Sequence, residues 1–497
     1  MLRVRTTKTG KGKLSVQVCL SKSKKVVVVQ HIGTISKTKT LDDLKKLALN
    51  YIATQTKFPL LSPSFLVETK NENDFLLHTS NLEIVGTTHL FSYEFLSSWY
   101  KENGFDELKS PILKDLVIAR ILEPTSKLQT ISFLLNSFGI YYPKNKIYDY
   151  LATISNLKEQ AEDIAYQFAT REYPGNFSLV FYDVTTLYFE TNKSDDLRKN
   201  GFSKDNKNNQ PQILIGLLVN RDGYPVSFDI FTGNTFEGNT FIPSILNLKK
   251  KRNIENLTIV ADAGMISFKN ITELTKNGLN YIVGARIGNL KGNILQNISN
   301  ELNQTEGVYS KTKTDKGILI CDYSVKRANK NRSDRKKQIQ KAEFQMLNQE
   351  KIIKRSRFLT QENKLNFKLN LDLIKKDEMI EGIKGYYTNL EKEDPNLIIS
   401  RYKDLWHVEK SFRIAKGDLL ARPIYHFKET SIKAHILIVF ISLAVTKSIE
   451  LKTSQSIRRI KETIWKIEDI ALKDSITQKQ ITKRMTTKNL DLKKLYP

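Results

Sequence analysis

Cysteine is almost absent: Cys19 and Cys321 are the only two in 497 residues. Two thiols cannot build a disulfide framework or fill a zinc site by themselves. The expectation is a protein of a reducing compartment. Histidine is also scarce, and His31, His78, His89, His407, His426 and His435 are scattered with no pair at metal-ligand spacing. There is no G-x-x-x-x-G-K-[ST] loop, no G-x-G-x-x-G turn and no G-x-S-x-G elbow. P-loop ATPase and Rossmann chemistry therefore have no support, and neither does a nucleophile-elbow hydrolase. Long hydrophobic runs are missing as well. The longest, Ala434–Val445, is interrupted by His435 and Ser442 and falls short of the roughly 18 apolar residues that a membrane span needs. It is predicted to be a buried core helix. The basic N-terminus has no apolar stretch behind it, so no secretory signal is expected.

Positive charge and core-forming residues are plentiful. Lys and Arg number 79 against 53 Asp and Glu, a formal charge of +26. Such an excess favours a polyanionic partner through phosphate neutralisation and counterion release, or serves solubility alone. Hydrophobic residues make up 40%, with 24 Phe and 20 Tyr, which is enough for a large core. The length exceeds the roughly 250–300 residues at which single cores stop growing, so two or more domains are expected.

The patterning divides the chain into six stretches. Residues 1–87 read as a strand-rich basic region: LSVQVCL (14–20) alternates at the strand period and VVVVQHIG (26–33) follows a turn, then a helix and a loop. Residues 88–172 read as helices. LKDLVIARILEP (113–124) stops at Pro124, TSKLQTISFLLNSFGI (125–140) begins at a Thr125 or Ser126 cap and ends near Gly139, and KNKIYDYLATI (144–154) follows. Two short helices about a glycine turn are either a DNA-reading helix-turn-helix or a plain core hairpin. Residues 173–290 read as α/β: strand, hairpin about Arg-Asp-Gly-Tyr, strand, helix closed by Gly278, strand. Residues 291–384 interrupt this with a largely helical basic stretch, Lys326–Arg357, which holds twelve Lys/Arg and three Asp/Glu. Within 385–450 helical patterning resumes near Asn396 and continues to about Ile449, and 451–497 reads as a Lys-rich tail.

Chemistry is expected where acids end apolar strands. Asp183 closes SLVFYD and Asp262 closes LTIVAD. A carboxylate there is costly unless solvated, hydrogen-bonded or bound to a cation. Neighbouring strands would bring both to one edge, where hard oxygen ligands suit Mg²⁺ completed by water and phosphate oxygens. Each is equally readable as a turn or cap residue. In RYKDLWHVEKSFRIAK (401–416), Tyr402, Glu409 and Lys416 are spaced by seven and are predicted to share one helix face, drifting about 20° per heptad. The alternative for Glu409 is a surface ion pair with Arg413 at i+4.

Several ordered segments resemble a known family: FYDVTTLYFE, then LRKNGFSKDNKNNQPQILIGLLVNRDGYPVSFDIFTGNTFEGNTF, then IVADAGMIS, then RYKDLWHVEKSFRIAKGDLLARPIYH. Together with ARILEPTSKLQT (119–130) and EGIKGYYTN (381–389), they are similar to bacterial insertion-sequence transposases of the DDE type, the IS-four superfamily with its Tyr–Arg–Glu–Lys signature. The likeness runs from about Arg120 to Ala444. It implies an RNase H-like mixed sheet with flanking helices, interrupted by an insertion before the last acid and preceded by a β-rich and then a helical region. It also implies that Asp183, Asp262 and Glu409 are the catalytic, metal-binding acids for two Mg²⁺ or Mn²⁺ ions.

Tyr402 and Lys416 are implied to contact transposon-end DNA, with Arg413 beside them. The signature arginine is replaced by Leu405, and Arg401 or Arg413 is the candidate substitute. The implied activity is binding of terminal inverted repeats in double-stranded DNA, cleavage at the element ends, and attack of the freed 3′-hydroxyl on target DNA. Implied with it are a homodimer in a synaptic complex, a cytoplasmic, nucleoid-associated location, and no membrane. The rival readings are a decayed DNA-binding protein that only occupies the repeats, and a metal-dependent nuclease without strand transfer.

Overall fold

The computed structural model describes residues 2–10, 12–22, 25–36, 40–55, 82–174, 178–203, 206–252, 254, 256–265, 267–348, 356–363, 366–475, 478 and 480–485. They form two compact units. One comprises residues 1–158, 418–420 and 430–497, and the other 159–417 and 421–429.

The first unit opens with β1 (Leu2–Lys8), β2 (Leu14–Lys22) and β3 (Lys25–Thr34), an antiparallel sheet in chain order. The strand period puts Val16 and Val18 on one face, where they meet Leu44 and Ala48 of α1 (Leu41–Gln55). The loop expected next reaches into 56–81, outside the described residues. β4 (Leu82–Thr88) leads into the expected helices: α2 (Leu90–Glu102), α3 (Pro111–Leu122), α4 (Lys127–Phe138) and α5 (Lys144–Ile154).

Local chemistry sets their ends. Ser110 caps α3 with Pro111 at its first position, and the helix stops ahead of Pro124. Ser126 and Gln129 form a capping box at the start of α4, and Gly139 closes it at φ +69°. α5 buries only Ile147, Leu151 and Ile154, so Lys144, Asn145, Lys146 and Tyr148 stay exposed.

The second unit runs from α6 (Lys158–Glu172) through β5 (Leu179–Tyr188), β6 (Gln212–Val219), β7 (Pro225–Thr232), α7 (Glu237–Arg252), β8 (Thr258–Ala261), α8 (Phe268–Lys276) and β9 (Asn280–Ala285). It continues with α9 (Gly292–Leu302), β10 (Tyr309–Thr314), β11 (Gly317–Tyr323), α10 (Val325–Leu347), β12 (Leu359–Asn363), β13 (Asn366–Leu369), α11 (Leu371–Met379), β14 (Ile383–Thr388), α12 (Pro395–Lys403) and α13 (Trp406–Arg413). Eight of these strands form one sheet in the order β10-β11-β14-β9-β8-β5-β6-β7. β5, β6 and β7 are an antiparallel meander, β8 pairs parallel to β5, and β9 pairs parallel to β8. This five-strand arrangement is the mixed sheet expected of an RNase H-like core.

Two differences from the sequence reading stand out. β10 and β11 lie inside the expected insertion, yet they join the sheet through β14, since the apolar run Ile318–Cys321 of β11 is buried there. The basic stretch begins with helix α10 as expected, and residues 349–355 within it lie outside the described set. α7 is a helix that the sequence reading passed over, because Gly, Asn and Thr dominate its first turns and Pro243 interrupts it.

The chain returns to the first unit in α14 (Glu429–Thr453), α15 (Ile457–Trp465), β15 (Glu468–Asp474) and β16 (Gln480–Met485). α14 is long and apolar enough to cross a membrane, but 94% of its apolar window is buried inside the protein, as the core-helix reading required. Ser448 of α14 accepts a hydrogen bond from Asn103 at 2.8 Å. Two strands lie within the Lys-rich end: β15 is held between β4 and β16, and Trp465 ahead of them stacks on His89 at 3.8 Å.

One buried acid fastens the edge of the large sheet. Glu162 Oε1 on α6 accepts from the Phe228 amide at 3.0 Å and from Ser227 Oγ at 2.9 Å, both on edge strand β7. Glu162→Leu strands both donors and is expected to cost about 3 kcal/mol, read as a lower urea midpoint. An unchanged midpoint would show that water satisfies these donors.

Candidate active site

The geometry follows from strand register. Tyr182 of β5 pairs with Ala261 of β8, and Ala261 pairs with Val283 of β9. The next residues are Asp183, Asp262 and Gly284, which therefore stand level across three parallel strands. Alternation assigns them a face. Tyr182 donates to Thr240 Oγ1 of α7 at 2.8 Å, so α7 covers one side and Asp183 points to the other. On that other side α13 packs against β5 and β6, and α12 packs against β8 and β9. Asp183 is half-buried, while Asp262 and Glu409 are exposed.

Gly284 is small for a reason. A Cβ there would collide with Tyr402 Oη, so glycine lets the phenol of α12 lie over the level of the two aspartates. Tyr402 donates from Oη to Asp262 Oδ1 at 3.3 Å. Burial and then the nearby carboxylates of Asp262 and Glu409 push its hydroxyl well above the usual tyrosine range. The phenol thus stays a neutral donor to Asp262.

The predicted stripe of Tyr402, Glu409 and Lys416 is not one regular helix. Between α12 and α13 the amides of Leu405, His407 and Val408 bond three residues back at 3.0–3.2 Å, a tightened turn. After α13, Ile414–Asp418 form a wide π turn. Over-winding before Glu409 and under-winding after it replace the even heptad drift. Tyr402 and Glu409 are brought to the site. Lys416 sits half-buried on the π turn and Arg413 is exposed at the end of α13, and neither lines the cleft beside Asp262. The alternative ion pair between Glu409 and Arg413 is not formed among the described residues. Leu405, at the position of the signature arginine, is buried at 6% exposure and brings no charge.

A cleft of about 500 Å³ opens beside Asp262, lined among others by Tyr402, Gly284, Lys384, Arg327 and Asn331. Lys384 on β14 was not singled out from the sequence. Its ammonium lies 4.4 Å from the Tyr402 ring centroid and 5.7 Å from that of Tyr386. Burial, then the Arg327 cation, lower its pKa, while Asp322, Asp262 and Glu409 oppose that shift. The only sequence signals for these two cations are the segment EGIKGYYTN and the basic run itself.

The basic helix α10 forms part of the wall because acids hold it there. Arg335 is buried and bonds Glu381, with Asp377 at 3.7 Å and Glu378 at 3.8 Å. Arg332 reaches Glu381 at 2.6 Å, and Arg357 reaches Asp377 at 2.7 Å. Removing one member of a buried pair exposes the other's desolvation cost. Arg335→Met is therefore expected to destabilise this unit by about 3 kcal/mol and to speed proteolytic cutting in α10. Unaltered cutting would show that α10 is anchored by its apolar contacts alone.

Carboxylate oxygens alone make up the expected ligand set, which suits a hard divalent cation. Among the described residues no three His, Cys, Asp or Glu converge tightly enough to hold an ion unaided. Mg²⁺ is taken by one or two carboxylates together with water and phosphate oxygens, and Asp262 borders an open cleft, so the residues fit the ion.

The sequence model of the transposase DDE domain matches residues 174–445. No curated protein matches. Among solved structures, the chain is similar to a piggyBac transposase synaptic complex with hairpin DNA, at 10% identity and a TM-score of 0.38, over 76% of this chain and 79% of that one. It is also similar to a Mos1 transposase paired-end complex with left transposon end, at 10% identity and a TM-score of 0.16, over 50% and 68%. The matched segment covers more than half of the chain and contains all three acids, and the protein belongs to the DDE-domain transposase family.

Proposed function

We propose that this chain is the transposase of a bacterial-type insertion sequence. In this reading it binds the terminal inverted repeats as double-stranded DNA, cuts at the element ends and joins the freed 3′-hydroxyl to target DNA. The observation that carries it is the level pair Asp183 and Asp262, with Glu409 presented from α13 on the same face, inside the matched family segment.

Asp183 and Asp262, with Glu409, would hold two Mg²⁺ or Mn²⁺ ions. Bound there, the ions would activate the attacking oxygen and neutralise the leaving one. The chain's own residues supply positioning. Tyr402 orients Asp262 by hydrogen bond, the neutral phenol placing no further negative charge beside the phosphate. Arg413 and Lys416, the outer cations on α13 and the π turn, contact end DNA away from the cleft. α5, with Lys144, Asn145, Lys146 and Tyr148 exposed, is the surface of the helical region suited to reading a duplex. Two copies would act together, one on each end, in the cytoplasm.

The test is strand cleavage on DNA that carries the element's own terminal repeats, in Mg²⁺ and in EDTA. Asp183→Asn, Asp262→Asn and Glu409→Gln should each lower cleavage more than about a hundredfold with binding largely kept. Binding with no cleavage in any metal would favour a protein that only occupies the repeats, and cleavage without joining would favour a nuclease.

A second experiment addresses the phenol. Gly284→Ala displaces the Tyr402 ring and should reduce cleavage more than Tyr402→Phe, which keeps the ring and loses one long hydrogen bond. The reverse order would mean that the hydroxyl, and not the seat of the ring, is what counts.

A further inference from the structure

Positive charge beside Asp262 comes from an unexpected place. The signature position that should carry an arginine is Leu405, which is buried at the start of α13. The cleft is nevertheless lined by cations that do not belong to that helix, among them Lys384 and Arg327. Lys384 rises from β14, three residues beyond Glu381, and is held over the Tyr402 and Tyr386 rings. Arg327 lies in the first turn of α10 and is half-buried.

The arginines of this wall differ in one respect. Arg332, Arg335 and Arg357 are each engaged by Glu381 or Asp377. Arg327 has no ion-pair partner among the described residues. A half-buried guanidinium without an acid gains most from an incoming anion, and its planar fork matches a phosphate. The acids that engage its neighbours therefore leave one arginine of the wall available to a ligand.

The hollow does not end at Arg327. An adjoining depression of about 470 Å³ shares Arg327, Asn331 and Asp334 and adds Lys326 and Lys330 along α10. The two hollows together make a track, with cations along it, that leads to Asp262.

We propose that Arg327 and Lys384 grip the backbone phosphates of the DNA strand that enters the cleft at Asp262, replacing the cation that Leu405 does not provide. The ligand chemistry is a phosphodiester, held as a point charge by Lys384 and as a bidentate oxyanion by Arg327. Both are positioning residues, since neither needs to exchange a proton. The proposal rests on the reading of Asp262 as a catalytic acid.

The experiment uses the full chain and a duplex of about 30 base pairs in EDTA, with affinity measured against salt. It is paired with nicking of supercoiled plasmid in Mg²⁺. The variants are Arg327→Gln, Lys384→Met, their double, and Lys269→Gln as a charge-matched control on α8, at the opposite face. Each single variant should reduce the salt slope by about 0.9, and the double by about twice that. The control should leave it near wild type. Nicking by the double should fall at least about tenfold, with unchanged melting for Arg327→Gln because that side chain has no partner to lose.

Slopes equal to wild type in both single variants would overturn the proposal, as would a loss no larger than that of Lys269→Gln. A separate result marks failure of the underlying reading: a wild-type protein that does not nick, or nicking that survives Asp262→Asn. In that case the slopes still decide whether the two cations hold phosphate.

Discussion

Two carboxylates standing level on adjacent parallel strands are the constraint around which this unit is arranged. Asp183 and Asp262 follow the last pairing of β5 with β8; Asp262 ends its strand as expected, whereas β5 runs on past Asp183 to Tyr188 beside β6. Like charges so placed repel each other and are held only with compensation from donors or cations. The surrounding elements supply this compensation. Gly284 removes a side chain from the third position in the row, Tyr402 fills that space with a neutral donor, and α13 brings Glu409 to the same face. A site that gathers acids is chemically incomplete without positive charge, and a DDE transposase finds that charge in divalent ions and in DNA-facing cations.

The expected insertion is where the rest of the charge comes from. It adds two strands to the sheet and one long basic helix to the wall of the cleft. Most of that helix is exposed, and a solvated basic helix has no reason to stay in one place. Glu381, Asp377 and Glu378 give it one by pairing with Arg332, Arg335 and Arg357. The same acids thereby decide which cations of the wall are already occupied. Placement by buried ion pairs is a matter of specificity more than of stability, because the desolvation of both partners consumes most of the attraction.

The helix carrying Glu409 shows how a small change of winding matters. Its sequence spacing suggests one even stripe, but a tightened turn at Leu405 and a wide turn from Ile414 set Tyr402, Glu409 and Lys416 at different angles. Leu405 itself packs inward at the start of α13, so the position that carries a cation in the signature serves here to seat the helix. Arg413 is exposed at the helix end, apart from the residues that line the cleft.

Much of this protein is determined locally and is legible in its sequence. The strand period of LSVQVCL, the capping box at Ser126, the stop before Pro124, the turn at Gly223 and the buried α14 all follow from period, cap or composition, which depend on neighbours within a few residues. The acids beside apolar runs stand out for the same reason, because a charge there is locally anomalous, although Asp183 lies inside β5 and does not end it. Only the tertiary structure decided that Asp183 and Asp262 are level, that Tyr402 reaches Asp262 over Gly284, and that Lys384 and Arg327 join them from distant segments. These depend on register between strands and on packing between helices, which no local pattern encodes. For the same reason the pairing of Arg335 with Glu381, 46 positions apart, was invisible in a run that reads simply as basic.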